Sequence, residues 1–176
     1  MELPRVSAIL KILDDSYAGV PQAALAYAAE RGERLHRLCL SYLAGMPLSD
    51  ASTRDEDAPA FTSFVRWFRD HAVESIAVEE TAMNVAHGYQ GTPDALVLID
   101  GEEVLIDLKF TASILRINRV QIQAYRELDL YKTAKKAMVI HINPTTGTLQ
   151  VHVVKKSQRD LAAFLNALSV WKWRES

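Results

Sequence analysis

The spacing of hydrophobic positions changes several times along the chain, and each change marks a predicted element. Hydrophobic positions recur at helical spacing over residues 22–43, after Pro21 and before Gly45, which predicts a long helix. A shorter amphipathic helix is predicted at 61–72. Three strands, a helix, two strands and a last helix are then predicted at 75–83, 90–99, 103–110, 114–131, 136–143, 148–154 and 157–173.

Turn and cap residues separate these stretches. The polar, acidic segment 49–59 predicts a loop, and Asp100-Gly101 is a tight-hairpin signal between two apolar strands. A turn at 143–147 joins the last two strands, and Ser157 is the predicted N-cap of the last helix. The order predicts an α/β or α+β fold with a central mixed sheet of about five strands flanked by helices.

Composition narrows the classes of protein to consider. The chain has 176 residues and a net charge of −2, so we expect one domain over residues 1–176 without a field that attracts nucleic acid globally. Cys39 is the single cysteine, which excludes an internal disulfide and fits a reducing compartment. No apolar run predicts a secretory signal or a membrane span, so we expect a cytoplasmic protein.

Acidic and basic side chains lie on the apolar strands around the hairpin. Asp107 and Lys109 are two residues apart, so they share one face of an extended strand. The hairpin folds this strand beside the one that begins near Asp94, and the two carboxylates can then converge on one cation. A lone Asp-x-Lys pair is usually an exposed ion pair, but these strands are too apolar for a surface hairpin. Uncompensated charges there are costly, which favours a metal site.

Three residues on predicted helices have both a structural and a functional interpretation. His36 lies on the packed side of the first long helix, where a histidine is more often a core residue than a ligand. Gln121 and Tyr125 are one turn apart on a later helix and share a face. Taken alone, they are an ordinary polar flank of that helix.

Together these residues resemble the PD-(D/E)XK nuclease superfamily, in particular its RecB-like exonuclease branch. The resemblance covers residues 6–131 and rests on five motifs in the family's order and spacing. They are RGxxxH with Arg31, Gly32 and His36; a strand glutamate, Glu79; GxxD with Gly91 and Asp94; DxK with Asp107, Lys109 and Thr111; and QxxxY with Gln121 and Tyr125. Glu80 is the alternative to Glu79, since neighbouring strand residues face opposite sides.

The resemblance implies a restriction-endonuclease-like core and metal-dependent hydrolysis of phosphodiester bonds. The implied metal ligands are His36, Asp94, Asp107 and the backbone carbonyl of Leu108. The implied catalytic residues are Asp94, Asp107, Lys109, Glu79, Gln121 and Tyr125. These oxygen donors suit Mg²⁺, the imidazole makes Mn²⁺ an equal fit, and one or two ions are expected. The iron–sulfur members of the branch need four cysteines, so that subgroup is excluded.

We therefore expect a DNA exonuclease that acts on ends or single strands in recombination, repair or phage DNA metabolism. A structure-specific endonuclease and a catalytically inactive DNA-binding or assembly subunit are the alternatives. The expected partners are DNA, a helicase, recombinase or single-strand-binding protein, and a second copy of the chain. The candidate DNA-binding residues are Arg116, Arg119, Lys132, Lys135 and Lys136, with Arg31, Arg34 and Arg37 as a further basic group.

Overall fold

The computed structural model describes residues 3–13, 21–48 and 54–175. Five α-helices and seven strands are found in this part of the chain. The helices are α1 (Val6–Leu10), α2 (Gln22–Leu43), α3 (Ala58–Asp70), α4 (Arg116–Arg126) and α5 (Gln158–Arg174). The strands are β1 (Glu74–Val78), β2 (Ala82–Asn84), β3 (Tyr89–Gly91), β4 (Ala95–Ile99), β5 (Glu102–Lys109), β6 (Lys136–Ile142) and β7 (Leu149–Val153).

Five strands form one mixed sheet in the order β1-β4-β5-β6-β7, and β2 pairs with β3 in a separate hairpin. Only the β5–β6 pair is parallel among the pairs of the large sheet. Residues of α1, α4 and α5 pack on one face with Leu105, while α2 and α3 pack on the other with Val104 and Ile106. The prediction of a five-stranded mixed sheet flanked by helices is confirmed, and so is the alternation of side chains along β5.

Local signals place several elements as predicted. Helix α2 spans the predicted residues, and Gly45 follows it with a φ of 66°. Asp100 and Gly101 both have positive φ, at 53° and 74°, as the two-residue turn between β4 and β5 requires. Ser157 caps α5, since its Oγ accepts the N–H of Asp160 at 3.2 Å.

Two predicted strands are each divided in the structure. The stretch 75–83 forms β1 and β2 instead of one strand, because Glu79 adopts a φ of 50° and breaks the alternation. The stretch 90–99 forms β3 and β4, which are separated by Thr92, Pro93 and Asp94. Proline lacks an N–H and ends β pairing at that point.

Helix boundaries account for the other differences. Helix α4 covers only part of the predicted 114–131, and turns follow it. Helix α3 begins three residues earlier than predicted, with Pro59 in its first turn, where a missing N–H costs nothing. Helix α1 was not predicted, because five residues are too short for a helical repeat to stand out.

The predicted loop 49–59 is described from residue 54 onward. Residues 49–53 of it lie outside the described residues, and Asp55–Asp57 forms a 3-10 turn before α3. Asp57 is buried and contacts Arg34 at 2.5 Å and Arg31 at 3.4 Å. Arg31 also donates to the carbonyl of Pro144 at 2.8 Å. Arg31 and Arg34, two of the three basic candidates on α2, therefore bind segments of the same chain.

In the described part of the chain, no helix has the length and apolar character needed to cross a membrane.

Candidate functional site

Three acidic residues lie in a row across one side of the large sheet, beside the end of β1, before the start of β4 and within β5. Val78 pairs with Ala95, and Ala95 pairs with Ile106, so the next residues across the sheet are Glu79, Asp94 and Asp107. The N–H of Glu79 donates to the carbonyl of Asp94 at 3.0 Å, which continues the pairing by one residue. The hairpin thus places Asp94 beside Asp107, as the sequence predicts.

Asp94 connects the large sheet to helix α2. Its Oδ1 lies 3.0 Å from Nε2 of His36, and its Oδ2 accepts the backbone N–H of Leu108 at 2.5 Å. Burial lowers the pKa of His36, but the hydrogen bond and the charge of Asp94 outweigh burial, so the net pKa is raised. The side chain of His36 remains 31% exposed, which is unlike a core histidine and leaves it within reach of a ligand.

Asp107 is the most deeply buried charged group of the site, with 1% of the residue exposed. Lys109 Nζ lies 2.7 Å from its Oδ2, but Oδ2 receives no properly aligned hydrogen bond from the described residues. Burial raises the pKa of Asp107, Lys109 lowers it and Asp94 raises it again, so that it rises to about 6. Burial and the charge of Asp94 therefore outweigh the stabilisation that Lys109 gives to the charged carboxylate.

Gln121 and Tyr125 approach the acids from α4. Gln121 Nε2 donates to the Tyr125 hydroxyl at 3.0 Å. Burial raises the pKa of Tyr125, and the charges of Asp107 and Asp94 raise it further, so the hydroxyl remains protonated as a donor. Gly91 permits the approach, because a Cβ there would lie 2.9 Å from Tyr125 Cε1. The two motif residues are thus one packed unit beside the carboxylates.

Glu79 and Glu80 are the two candidates for the strand glutamate of the motif set. Both side chains are exposed. Glu79 is joined to Asp94 through the backbone, whereas the carbonyl of Glu80 accepts from the Tyr131 hydroxyl at 2.7 Å. Glu79 is therefore the one whose backbone continues the acidic row.

The candidate DNA-binding residues fall into two separate places. Arg116 and Arg119 lie on the first turn and a half of α4, and Arg119 is paired with Asp160 at 2.8 Å. Lys136 begins β6 opposite Val104, five residues from Lys109 along β5, or about 16 Å at ~3.3 Å per residue. Lys132 contacts Asp129 at 2.5 Å, Lys136 contacts Glu102, and Lys135 is exposed nearby. Lys136 therefore lies toward the other end of β5 from Lys109, and contact of the three lysines with DNA stays a prediction.

The four predicted metal ligands lie together but are not arranged as a ready cage. Among the described residues, no three His, Cys, Asp or Glu side chains converge as one metal-binding group. His36 faces Asp94, and Asp107 faces Lys109. The backbone N–H and C=O of a strand residue point to the same side, so the Leu108 carbonyl also faces Asp94. The donor set fits a hard divalent ion, which would replace the two ion contacts.

Sequence reasoning missed the acidic partner of α2 and two histidines near the site. Asp57 was included only in a loop, although the charge run at 55–57 complements Arg31 and Arg34. His141 pairs in register with Lys109, and His152 pairs with Val139. Neither lies in a motif, and only strand register shows that they are close to the site.

Comparison with solved structures shows the same fold in exonucleases. An alkaline exonuclease, LHK-Exo from Laribacter hongkongensis, matches with a TM-score of 0.55 and 12% identity, covering 98% of this chain and 87% of that one. Its complex with dAMP matches with a TM-score of 0.54 and 14% identity over the same shares. A candidate exonuclease from Eubacterium rectale matches with a TM-score of 0.56 and 13% identity, covering 98% and 79%. No family model and no curated protein matches the sequence.

Proposed function

We propose that the protein is a divalent-metal-dependent deoxyribonuclease that removes nucleotides from DNA ends or single strands. One observation carries the proposal: Asp94 and Asp107 lie side by side, with His36 3.0 Å from the first and Lys109 2.7 Å from the second. The fold is shared with structures of exonucleases, one of them in complex with dAMP, which supports a nucleotide product. The RecB-like branch is proposed from the five motifs alone.

His36, Asp94, Asp107 and the Leu108 carbonyl would hold Mg²⁺ or Mn²⁺, as one or two ions. When bound, such an ion supplies a water of lowered pKa and neutralises charge on the phosphate. The unaligned Oδ2 of Asp107 supports this assignment, because a buried carboxylate oxygen needs a strong partner. Asp107 acting as a ligand would no longer hold Lys109 in its present ion pair.

Lys109 is then the protein residue that we assign to the phosphate and the attacking water. Its side chain is 20% exposed and lies on the same face as Asp107, so its ammonium can turn toward a phosphate at the site. There it would orient the attacking water and offset the charge that develops in the transition state. Tyr125 keeps its proton and is anchored by Gln121, so it would donate a hydrogen bond to a phosphate oxygen. Glu79 would act as a further acid at the edge of the site.

DNA would approach from the side of α4. Arg116 is exposed at the start of α4, in the segment that follows Lys109, and Arg119 lies less than one turn further on. We assign phosphate contacts to these two arginines. The cluster of Lys132, Lys135 and Lys136 would contribute only where DNA extends past the far end of β5.

The proposal is tested with end-labelled linear and circular single-stranded DNA in Mg²⁺, Mn²⁺ or EDTA. An exonuclease shortens the linear strand in metal, leaves the circle intact and is inactive in EDTA. Cleavage of the circular strand would show endonuclease activity and contradict the exonuclease proposal. Binding of DNA without hydrolysis in either metal would favour the inactive subunit. An Asp94→Asn variant is the control for a contaminating nuclease.

Association with a helicase, recombinase or single-strand-binding protein, and self-association, stay predictions. A pull-down with catalytically inactive protein, and sedimentation of the purified protein, test them separately.

A further inference from the structure

A polar cavity of about 310 Å³ lies next to the acidic centre, between β6, β7 and the segment that joins β5 to α4. It is large enough for a small planar ligand and opens to solvent. It is lined by Ala112, Ser113, Ile114, His141, Asn143, Thr146, Thr148, Gln150 and His152. None of these residues belongs to the site described above.

Strand register places the cavity on the catalytic face of the sheet. Lys109 pairs with His141, and His141 pairs with Gln150, so the three side chains project from the same face. Adjacent strands are about 4.8 Å apart, so His141 is the immediate neighbour of Lys109. A group bound in the cavity would therefore lie beside a phosphate held at Lys109.

The wall of the cavity is aromatic and polar. The His141 and His152 rings lie with centroids 6.1 Å apart at an angle of 45°. His141 Nε2 donates to the Thr111 carbonyl at 2.8 Å, which fixes its ring against the segment leading to α4. Nε2 of His152 is buried and finds no hydrogen-bond partner among the described residues. One imidazole is thus anchored, and the other has an unused polar atom.

The charge of the lining limits the ligand class. Among the described residues around the cavity there is no Lys, Arg, Asp or Glu. A phosphate group would lack a permanent cation, and a divalent metal would lack a carboxylate. Imidazole faces with amide and hydroxyl groups suit a flat heteroaromatic ligand with donors and acceptors on its edge.

We propose that this cavity holds the unpaired nucleobase next to the scissile phosphate. The proposal rests on the proposed function for the identity of the ligand, and it adds the position of the base to that of the phosphate. Stacking on His141 or His152 would be sequence-tolerant, because every base has a π-face.

The first test uses free deoxynucleosides, which carry no phosphate and need no metal. Titration of deoxyadenosine or thymidine into protein in EDTA should shift the imidazole NMR signals of His141 and His152. The exposed His87 is the internal control and should not move. Inorganic phosphate should leave all three signals unchanged at the same pH.

The second test scans a single strand with one abasic position at a time. On the Asp107→Asn protein, loss of the base at one position near the end should weaken binding about tenfold, equivalent to ~1.4 kcal/mol. In His152→Ala this positional difference should disappear, whereas His87→Ala should retain it. If His152→Ala does not fold, Gln150→Ala replaces it, because Gln150 is exposed on β7.

The outcomes separate this proposal from the nuclease itself. If the protein hydrolyses DNA but an abasic site weakens binding equally at every position, the base cavity is overturned and the nuclease proposal stands. Nucleoside binding at His141 and His152 without hydrolysis would support the cavity and overturn the nuclease. If inorganic phosphate displaces the nucleoside, and this displacement requires His152, the cavity is an anion site and the proposal is overturned.

Discussion

Replacing Asp107 by asparagine should stabilise the metal-free protein at neutral pH. The side chain is buried, and its pKa in the folded state is raised to about 6. In the unfolded chain the pKa of an aspartate is about 3.9. The folded state therefore binds more protons between about pH 4 and pH 6, and stability falls as the pH rises through this window. Asparagine has a similar volume and cannot ionise, so the variant escapes this loss.

The size of the effect follows from the same gap in pKa. A difference between about 3.9 and about 6 corresponds to ~3 kcal/mol in the free energy of unfolding. The wild type loses all of this stability above pH 6. Relaxation of the buried site and a lost contact with Lys109 reduce the net gain, so we expect about 1 to 3 kcal/mol. For a chain of this size, each kcal/mol corresponds to about 2 to 4 °C in Tm.

Thermal unfolding in EDTA at pH 4 and pH 8 measures this directly. The variant should melt several degrees above the wild type at pH 8 and at nearly the same temperature at pH 4. Asp129→Asn is the matched control, since Asp129 forms an exposed ion pair with Lys132 and should show no such pH dependence. In Mn²⁺ the difference in melting temperature should become smaller or change sign, because an ion that binds only the folded wild type stabilises it. A variant that is less stable than the wild type at pH 8 in EDTA would refute this reasoning.

Three further substitutions test other parts of the site. His36→Ala should weaken Mn²⁺ binding in calorimetry with little change in Tm; unchanged affinity with lower stability would make His36 a core residue. Gly91→Ala should cost about 1 to 3 kcal/mol and reduce activity, because its Cβ would lie 2.9 Å from a carbon of Tyr125; an unchanged melt and rate would contradict this packing. Asp57→Asn should destabilise the fold by about 3 kcal/mol, since it leaves Arg31 and Arg34 without their buried partner; a change below 0.5 kcal/mol, well under the ~3 expected, would show a dispensable network.

The sheet and its acidic pair could be predicted from sequence because their signals are local. Asp100-Gly101 specifies a two-residue turn, and that turn fixes the register that puts Asp94 beside Asp107. Alternation along β5 then places Lys109 on the same face as Asp107. Local rules were sufficient here because the turn and the alternation each depend on residues that are close in sequence.

The remaining features depend on contacts between distant segments. Asp57 meets Arg31 and Arg34 only after α2 and the turn at Asp55–Asp57 pack together. Glu79 breaks a strand by adopting a positive φ, which its own side chain does not favour. His141 comes next to Lys109 through a parallel pairing across 31 intervening residues, and nothing in the local sequence fixes that register.

The central claim is that the acidic pair and Lys109 form a hydrolytic centre, and Lys109→Ala tests it most directly. Single-turnover cleavage of end-labelled DNA in saturating Mn²⁺ is measured together with Mn²⁺ affinity on the same preparation. Removing the ammonium 2.7 Å from Asp107 should leave metal binding equal or tighter, while cleavage falls about 100-fold or more. Cleavage near the wild-type rate, with Mn²⁺ bound, would contradict the account.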